Sequence, residues 1–154
     1  SVTQGKTLAQ IEQRLDPTVE IGQLLQSNQI DRAFNVALSL SKVEVVMWLI
    51  NQVASDRIFS QSPCPLSQGV LLSLVQQLST DLSTPDAPKK LDWIRDACLA
   101  VDPADQVLRP HMRPVLSTVH ASLMAAASSA ASSPEVRAGT RLCIHVVNSM
   151  LSSL

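Results

Sequence analysis

The chain has 154 residues, of which 45% are hydrophobic and 16% charged, with a formal net charge of −1. Such a composition excludes an intrinsically disordered chain, which needs low hydrophobicity and high charge, and it provides no global field to recruit nucleic acid. Four glycines disfavour a turn-rich β fold, and three widely separated cysteines imply no disulfide framework and suit a reducing compartment.

Residues 1–15 are polar, with Leu8, Ile11 and Leu15 at helical spacing, and read as a tail or the end of a preceding helix. Asp16-Pro17 supplies an N-cap and first helical position for a helix to about Ser27, with Ile21, Leu24 and Leu25 inward and Asn28 as its stop. A second helix over about 29–40 carries the cleanest amphipathic stripe: Ile30, Ala33, Phe34, Ala37 and Leu38. The run Val45 to Ile50 is compatible with a buried strand, but Ser41 to Glu44 spells a capping box, so a helix to Val53 is expected. Asp56 to Phe59 reads as a helical turn, and Ser62-Pro63-Cys64-Pro65 as an extended connection.

The segment PLSQGVLLSLVQQL from Pro65 is the most informative stretch. Leu71, Leu74, Val75, Leu78 and Leu82 fall at helical spacing, while Val70 and Leu72 widen the arc, so this helix is buried on more than one side. Pro65 is expected in its first turn, with Ser67 and Gln68 offering oxygens to the free N–H groups there. After a loop at 83–88, a helix over about 88–101 presents Leu91, Ile94, Cys98 and Val101; Asp102-Pro103 restarts a short helix to about Leu108. The next helix runs to about Ala127, its start placed near Pro110 or His111 so that Pro114 falls in the first turn. The Ala/Ser tract 125–133 extends this helix or forms the longest loop. Ser133-Pro134-Glu135 then starts a final helix to about Met150, with Cys143, Val146, Val147 and Met150 inward. The expected architecture is all-α: seven to eight antiparallel helices stacked in layers over residues 16–154 as one domain. Phe34, Trp48, Leu71, Leu74, Leu78, Ile94 and Val146 are its expected core.

The PLSQ helix, Leu91-Asp92-Trp93, the DPADQ turn at 102–106 and the ending HVVNSML at 145–151 together resemble the C-terminal domain of the plant VARICOSE proteins. These belong with the animal Hedls proteins to the family of enhancer-of-mRNA-decapping scaffolds. The likeness runs from about Asp16 to the end, and the DPADQ and HVVNSML segments are its plant-type features. It implies an armadillo-like helical stack at the end of a long scaffold, behind a WD40 domain and a coiled coil whose last helix would contribute residues 1–15. It further implies work with the decapping enzyme and its activator in cytoplasmic mRNP granules, the P-bodies.

The residues themselves offer little chemistry. There is no G-x-S-x-G, H-E-x-x-H or Gly-rich phosphate loop, and no paired carboxylate beside a histidine, so an enzyme is not expected. Neither a metal nor another cofactor is expected: Cys143 and His145, two apart, point to different sides of a helix. Ser62-Pro63, Thr84-Pro85 and Ser133-Pro134 fit proline-directed phosphorylation, but helix starts and stiffened loops explain them more simply. Arg109, His111 and Arg113 form the densest basic cluster and are the first candidates for partner binding, followed by Phe59, Pro65 and Gln68. Trp48 and Trp93 read as core residues. The expected function is a non-catalytic interaction module that takes a helix or short linear motif from an mRNA-decay protein. The alternative is an RNA-binding helical-repeat module; with 3% aromatics, stacking platforms for bases are scarce. No apolar run reaches the ~18 residues of a membrane span, and SVTQGKTLAQ has no signal-peptide core, so a cytosolic location is expected.

Overall fold

The computed structural model describes residues 16–154, so the expected helix end carrying Leu8, Ile11 and Leu15 lies outside the described residues. Among those described there are eight helices and no strand: α1 Pro17–Gln26, α2 Ile30–Ser39, α3 Val43–Gln52, α4 Ser55–Phe59, α5 Gln68–Leu78, α6 Ala87–Ala100, α7 Arg109–Ser128 and α8 Pro134–Ser152. The all-α layered expectation holds. None of these helices is long and apolar enough to cross a membrane.

Local chemistry sets most boundaries. The Asp16 carboxylate accepts from the Thr18 N–H at 3.0 Å and Pro17 fills the first position of α1. Asn28 closes α1 in the left-handed region at φ 61°. Ser133 caps α8 by accepting from the Val136 N–H at 3.2 Å.

Elsewhere the boundaries differ from expectation, each for an identifiable reason. Ser41 does not cap α3: at φ 54° it terminates α2 instead, and α3 starts after Lys42 without a side-chain cap. Pro65 lies before the α5 N-cap, Ser67, and so outside the first turn. Helix α5 ends at Leu78, where the Ser79 and Thr80 hydroxyls both donate to the Gln76 carbonyl; Leu82 is buried from the following loop. Residues 102–108 make turns, not a helix, because Asp102 accepts from the Ala104 N–H and Asp105 from the Val107 and Leu108 N–H groups. Helix α7 begins at Arg109, which places Pro114 inside it. The bond it forfeits is to the exposed Pro110 carbonyl, within reach of water. The Ala/Ser tract divides, helical through Ser128 and a loop at 129–133.

Helix α5 is the centre. It packs against α2, α6 and α7, while α8 covers α6 and α7, and α1 and α3 pack on α2. Its polar residues fix these neighbours. The Ser67 N–H donates to Asp31 Oδ1 at 2.8 Å, near the start of α2; Gln77 Nε2 donates to the Leu38 carbonyl at 2.8 Å, near its end. Starts meet and ends meet, so α2 and α5 run parallel. Gln68 at the start of α5 instead reaches the end of α6: its Nε2 donates to the Ala100 carbonyl at 3.3 Å and its Oε1 accepts from the Asp102 N–H at 2.7 Å. That pair is antiparallel. Antiparallel neighbours with parallel partners across a layer are what a stack of helical hairpins requires.

The buried side chains form one cluster that includes Phe34, Leu71, Leu74, Leu78 and Ile94. Trp48 and Val146, expected inside it, are half-buried and pack on its edge. Trp93 lies between Phe34 and Phe59, with ring centroids 5.8 and 5.6 Å away, the second pair edge-on. Helices α6 and α8 approach closely at Gly139, where a Cβ would stand 3.1 Å from Leu91 Cδ1.

Candidate functional site: the 101–108 loop and the start of α7

Arg109, His111 and Arg113 are all exposed at the start of α7. One helical turn separates the two arginines, which therefore share a face; His111, two residues from each, points elsewhere. Arg109 Nη1 donates to the Pro103 carbonyl at 3.5 Å, which folds it back over the 101–108 loop. Neither arginine has a carboxylate within 4.0 Å among the described residues, whereas Arg95 in α6 is held by Asp92 at 3.7 Å and Asp96 at 3.2 Å. The first turn of α7 carries no acidic side chain, so its N-terminal partial charge adds to that of the arginines. Asp102 and Asp105 offset part of this from the loop.

The second group of candidates divides. Gln68 commits both ends of its amide to the end of α6, and Phe59 is half-buried against Trp93. Pro65 lines a shallow concavity of about 310 Å³ with Gln29, Arg32, Arg57 and Gln61. Gln68 nevertheless meets the arginines indirectly, since it receives the Asp102 N–H while Arg109 bonds Pro103. One loop thus joins the two groups.

This loop and the helix end before it display two residues that the sequence pattern did not single out. Val107 is 81% exposed and Leu99, at the last turn of α6, is 67% exposed. Their signal was faint. Leu99 falls off the Leu91–Ile94–Cys98 stripe, and Val107 sits between aspartate-closed turns. Exposed aliphatic side chains on and just before a loop that leads into two arginines without an ion-pair partner among the described residues form a surface suited to a partner with apolar anchors and acidic flanks.

The two buried thiols, Cys98 and Cys143, offer no reactive centre. Burial pushes Cys98 up to about 12, with Cys143 adding to the shift, and pushes Cys143 up to about 11 against the opposing pull of Arg95. Two of the three Ser/Thr-Pro dipeptides have structural roles: Ser133 caps α8, and Thr84 Oγ1 accepts from Lys90 Nζ at 3.0 Å. Lys90, 2% exposed, also donates to the Asp81 carbonyl at 2.9 Å and lies 3.6 Å from Asp86 Oδ1, so it staples the 79–86 loop. No sequence feature marked it as buried. Among the described residues no three His, Cys, Asp or Glu side chains cluster as metal ligands would.

Comparison with known proteins places the chain in a family. The family model described as Enhancer of mRNA-decapping protein 4, C-terminal, matches residues 21–142. The enhancer of mRNA-decapping protein 4 of Danio rerio is 42% identical over 120 residues, which cover 78% of this chain and 9% of that protein. Its Homo sapiens counterpart is 40% identical over 101 residues, 66% of this chain and 7% of that protein. A crystal structure of the conserved C-terminal region of Ge-1 superposes with a TM-score of 0.74 at 28% identity, covering 84% of this chain and 95% of that one. The chain thus spans less than a tenth of the length of these relatives, and it belongs to the enhancer of mRNA-decapping protein 4 family, whose C-terminal domain it matches.

Proposed function

We propose that residues 16–154 form a non-catalytic protein-interaction domain of a cytoplasmic mRNA-decapping scaffold, one that helps assemble decapping complexes and directs them to P-bodies. The surface used is the 101–108 loop with Leu99, Val107, Arg109 and Arg113, and the partners are the decapping enzyme, its activator or other mRNA-decay proteins. Family membership supports the decapping role. One observation supports the surface: exposed Leu99 precedes, and exposed Val107 lies in, a loop that leads into the two α7 arginines, which have no carboxylate partner among the described residues. His111, Phe59, Pro65 and Gln68 play lesser parts in this reading, Gln68 by holding the loop in place. The plant-type assignment rests on the DPADQ and HVVNSML segments.

The test is capture of decapping factors from RNase-treated lysate by the wild-type domain and by an Arg109→Glu/Arg113→Glu variant. Retention by the wild type and loss by a folded variant is the expected result. Capture abolished by RNase, with RNA binding that falls steeply as salt rises, would point to direct action on transcripts instead.

A further inference from the structure

A cavity larger than the concavity at Pro65 lies away from that loop. The 79–86 loop, the last turns of α7 and the first turn of α8 enclose a cleft of about 720 Å³, within the range of roughly 300–1,000 Å³ in which ligand sites fall. It shares no residue with the 101–113 surface. From the geometry we propose that it binds a short extended peptide segment of small side chains that carries one Lys or Arg. This rests on the reading of the domain as a protein-interaction module and adds the chemistry of a second partner.

Three features carry the assignment. The first is shape. Ser122 of α7 and Ala125, Ala126, Ser129 and Ala131 of the Ala/Ser tract line the cleft, with Pro85 and Pro88 among the residues from the other wall. None projects far from its Cα, so an incoming main chain can approach closely where the side chains it turns toward the floor are themselves small.

The second is rigidity. Lys90 ties the 79–86 wall through the Asp81 carbonyl and Thr84 Oγ1. On the facing wall the Ser132 hydroxyl donates to the Ala126 carbonyl at 2.7 Å. A wall already ordered loses little further entropy when a peptide docks.

The third is charge. Asp81 and Glu135 line the cleft and no Lys or Arg does. Both carboxylates are exposed, and neither has a cation within 4.0 Å among the described residues. The Ser83 hydroxyl and N–H donate to Asp81 and hold its carboxyl below the usual carboxylate range, so it stays ionised. The nearby cations are engaged: Lys90 with Asp86, and Arg137 with the Ser132 carbonyl at 3.0 Å. Lys90 draws on Asp81 from behind the wall and the start of α8 on Glu135, yet two exposed carboxylates in a small-residue cleft with no Lys or Arg in its lining favour a cationic side chain and disfavour an acidic one.

The experiment is a titration of the ¹⁵N-labelled chain, followed by amide shifts. The probe is a pool of Ala/Ser/Pro dodecapeptides with a central Arg, and a matched pool with a central Glu. Expected are saturable shifts confined to residues 80–88, 122–136 and their neighbours with the Arg pool, and at least tenfold weaker binding of the Glu pool. Asp81→Asn/Glu135→Gln removes the charges at exposed positions and should weaken the Arg pool at least tenfold with an unchanged spectrum elsewhere. Ala126→Trp fills the cleft and should do the same; if it unfolds the domain, the charge variant decides. Absence of saturable shifts, shifts centred elsewhere, or equal binding of both pools or by the charge variant overturns the proposal. Capture of decapping factors through Arg109 and Arg113 is scored separately, so either idea can fail while the other stands.

Discussion

Gln68 shows how a polar residue in a sequence-conspicuous helix is explained by its neighbour. Its position beside an N-cap suggests local capping, but the side chain instead closes the carboxyl end of α6, accepting from the Asp102 N–H and donating to the Ala100 carbonyl. Gln68→Ala is expected to cost about 0.5–1.5 kcal/mol, the net range for intramolecular hydrogen bonds, since one of its two bonds is exposed and the other half-buried, and denaturant unfolding measures it. A cost near zero would mean that water replaces the amide freely. The thiols give a second residue-scale expectation. Cys64 is half-exposed, while Cys98 and Cys143 are buried. A thiol reagent should label Cys64 in the native protein and the other two only on unfolding. Folded thiols at about 12 and about 11, against an ordinary value of 9.0, bind protons that the unfolded chain has released. Their contribution to stability is therefore complete below pH 9 and declines as pH rises from 9 through 11–12. Stability that increases over that window, or rapid native labelling of all three thiols, would contradict the burial.

Helix α5 carries the architecture. Leu74 is fully buried in it, and Leu74→Ala should cost about 2–5 kcal/mol in chemical denaturation, as for other buried leucines; less than half a kcal/mol would remove α5 from the centre. The apolar periodicity of α2, α5, α6 and α8 was legible because burial on one face imposes a 3.6-residue repeat wherever a helix lies on a core. What failed to show were choices made between distant segments. Ser41 fits a capping box by spacing, yet it is needed to reverse the chain after α2. Asp102 and Asp105 sit in a helix-compatible sequence, but their carboxylates capture local N–H groups and form turns. Nothing in the pattern marks Lys90 as buried; it becomes so only because the loop folds over it. Arg109 and Arg113 were identifiable as a cluster, while Leu99 and Val107 were not, since exposure of an aliphatic side chain is decided by what fails to cover it. The cleft was hidden for a related reason: its Ala/Ser lining has the composition of a linker, and only tertiary structure places it opposite Pro85 and Pro88.

At the scale of the whole molecule, a rigid helical stack with one continuous core separates stability from recognition. The core tolerates little change, whereas exposed charges rarely contribute more than about 1 kcal/mol to folding. Partner choice can therefore be altered at the surface while the fold persists. The parallel α2–α5 and antiparallel α5–α6 relations fix the 101–108 loop through Gln68, so Leu99, Val107, Arg109 and Arg113 are presented by ordered backbone, which keeps the entropy cost of the proposed docking small. The most direct test of this account combines Val107→Asp with Arg113→Glu in the isolated domain and measures affinity for purified decapping enzyme and activator beside the melting temperature. The account predicts at least tenfold weaker binding to one of them, with melting within a few degrees of wild type and dispersal from P-bodies in cells. A folded variant that binds and localises as the wild type does would contradict it.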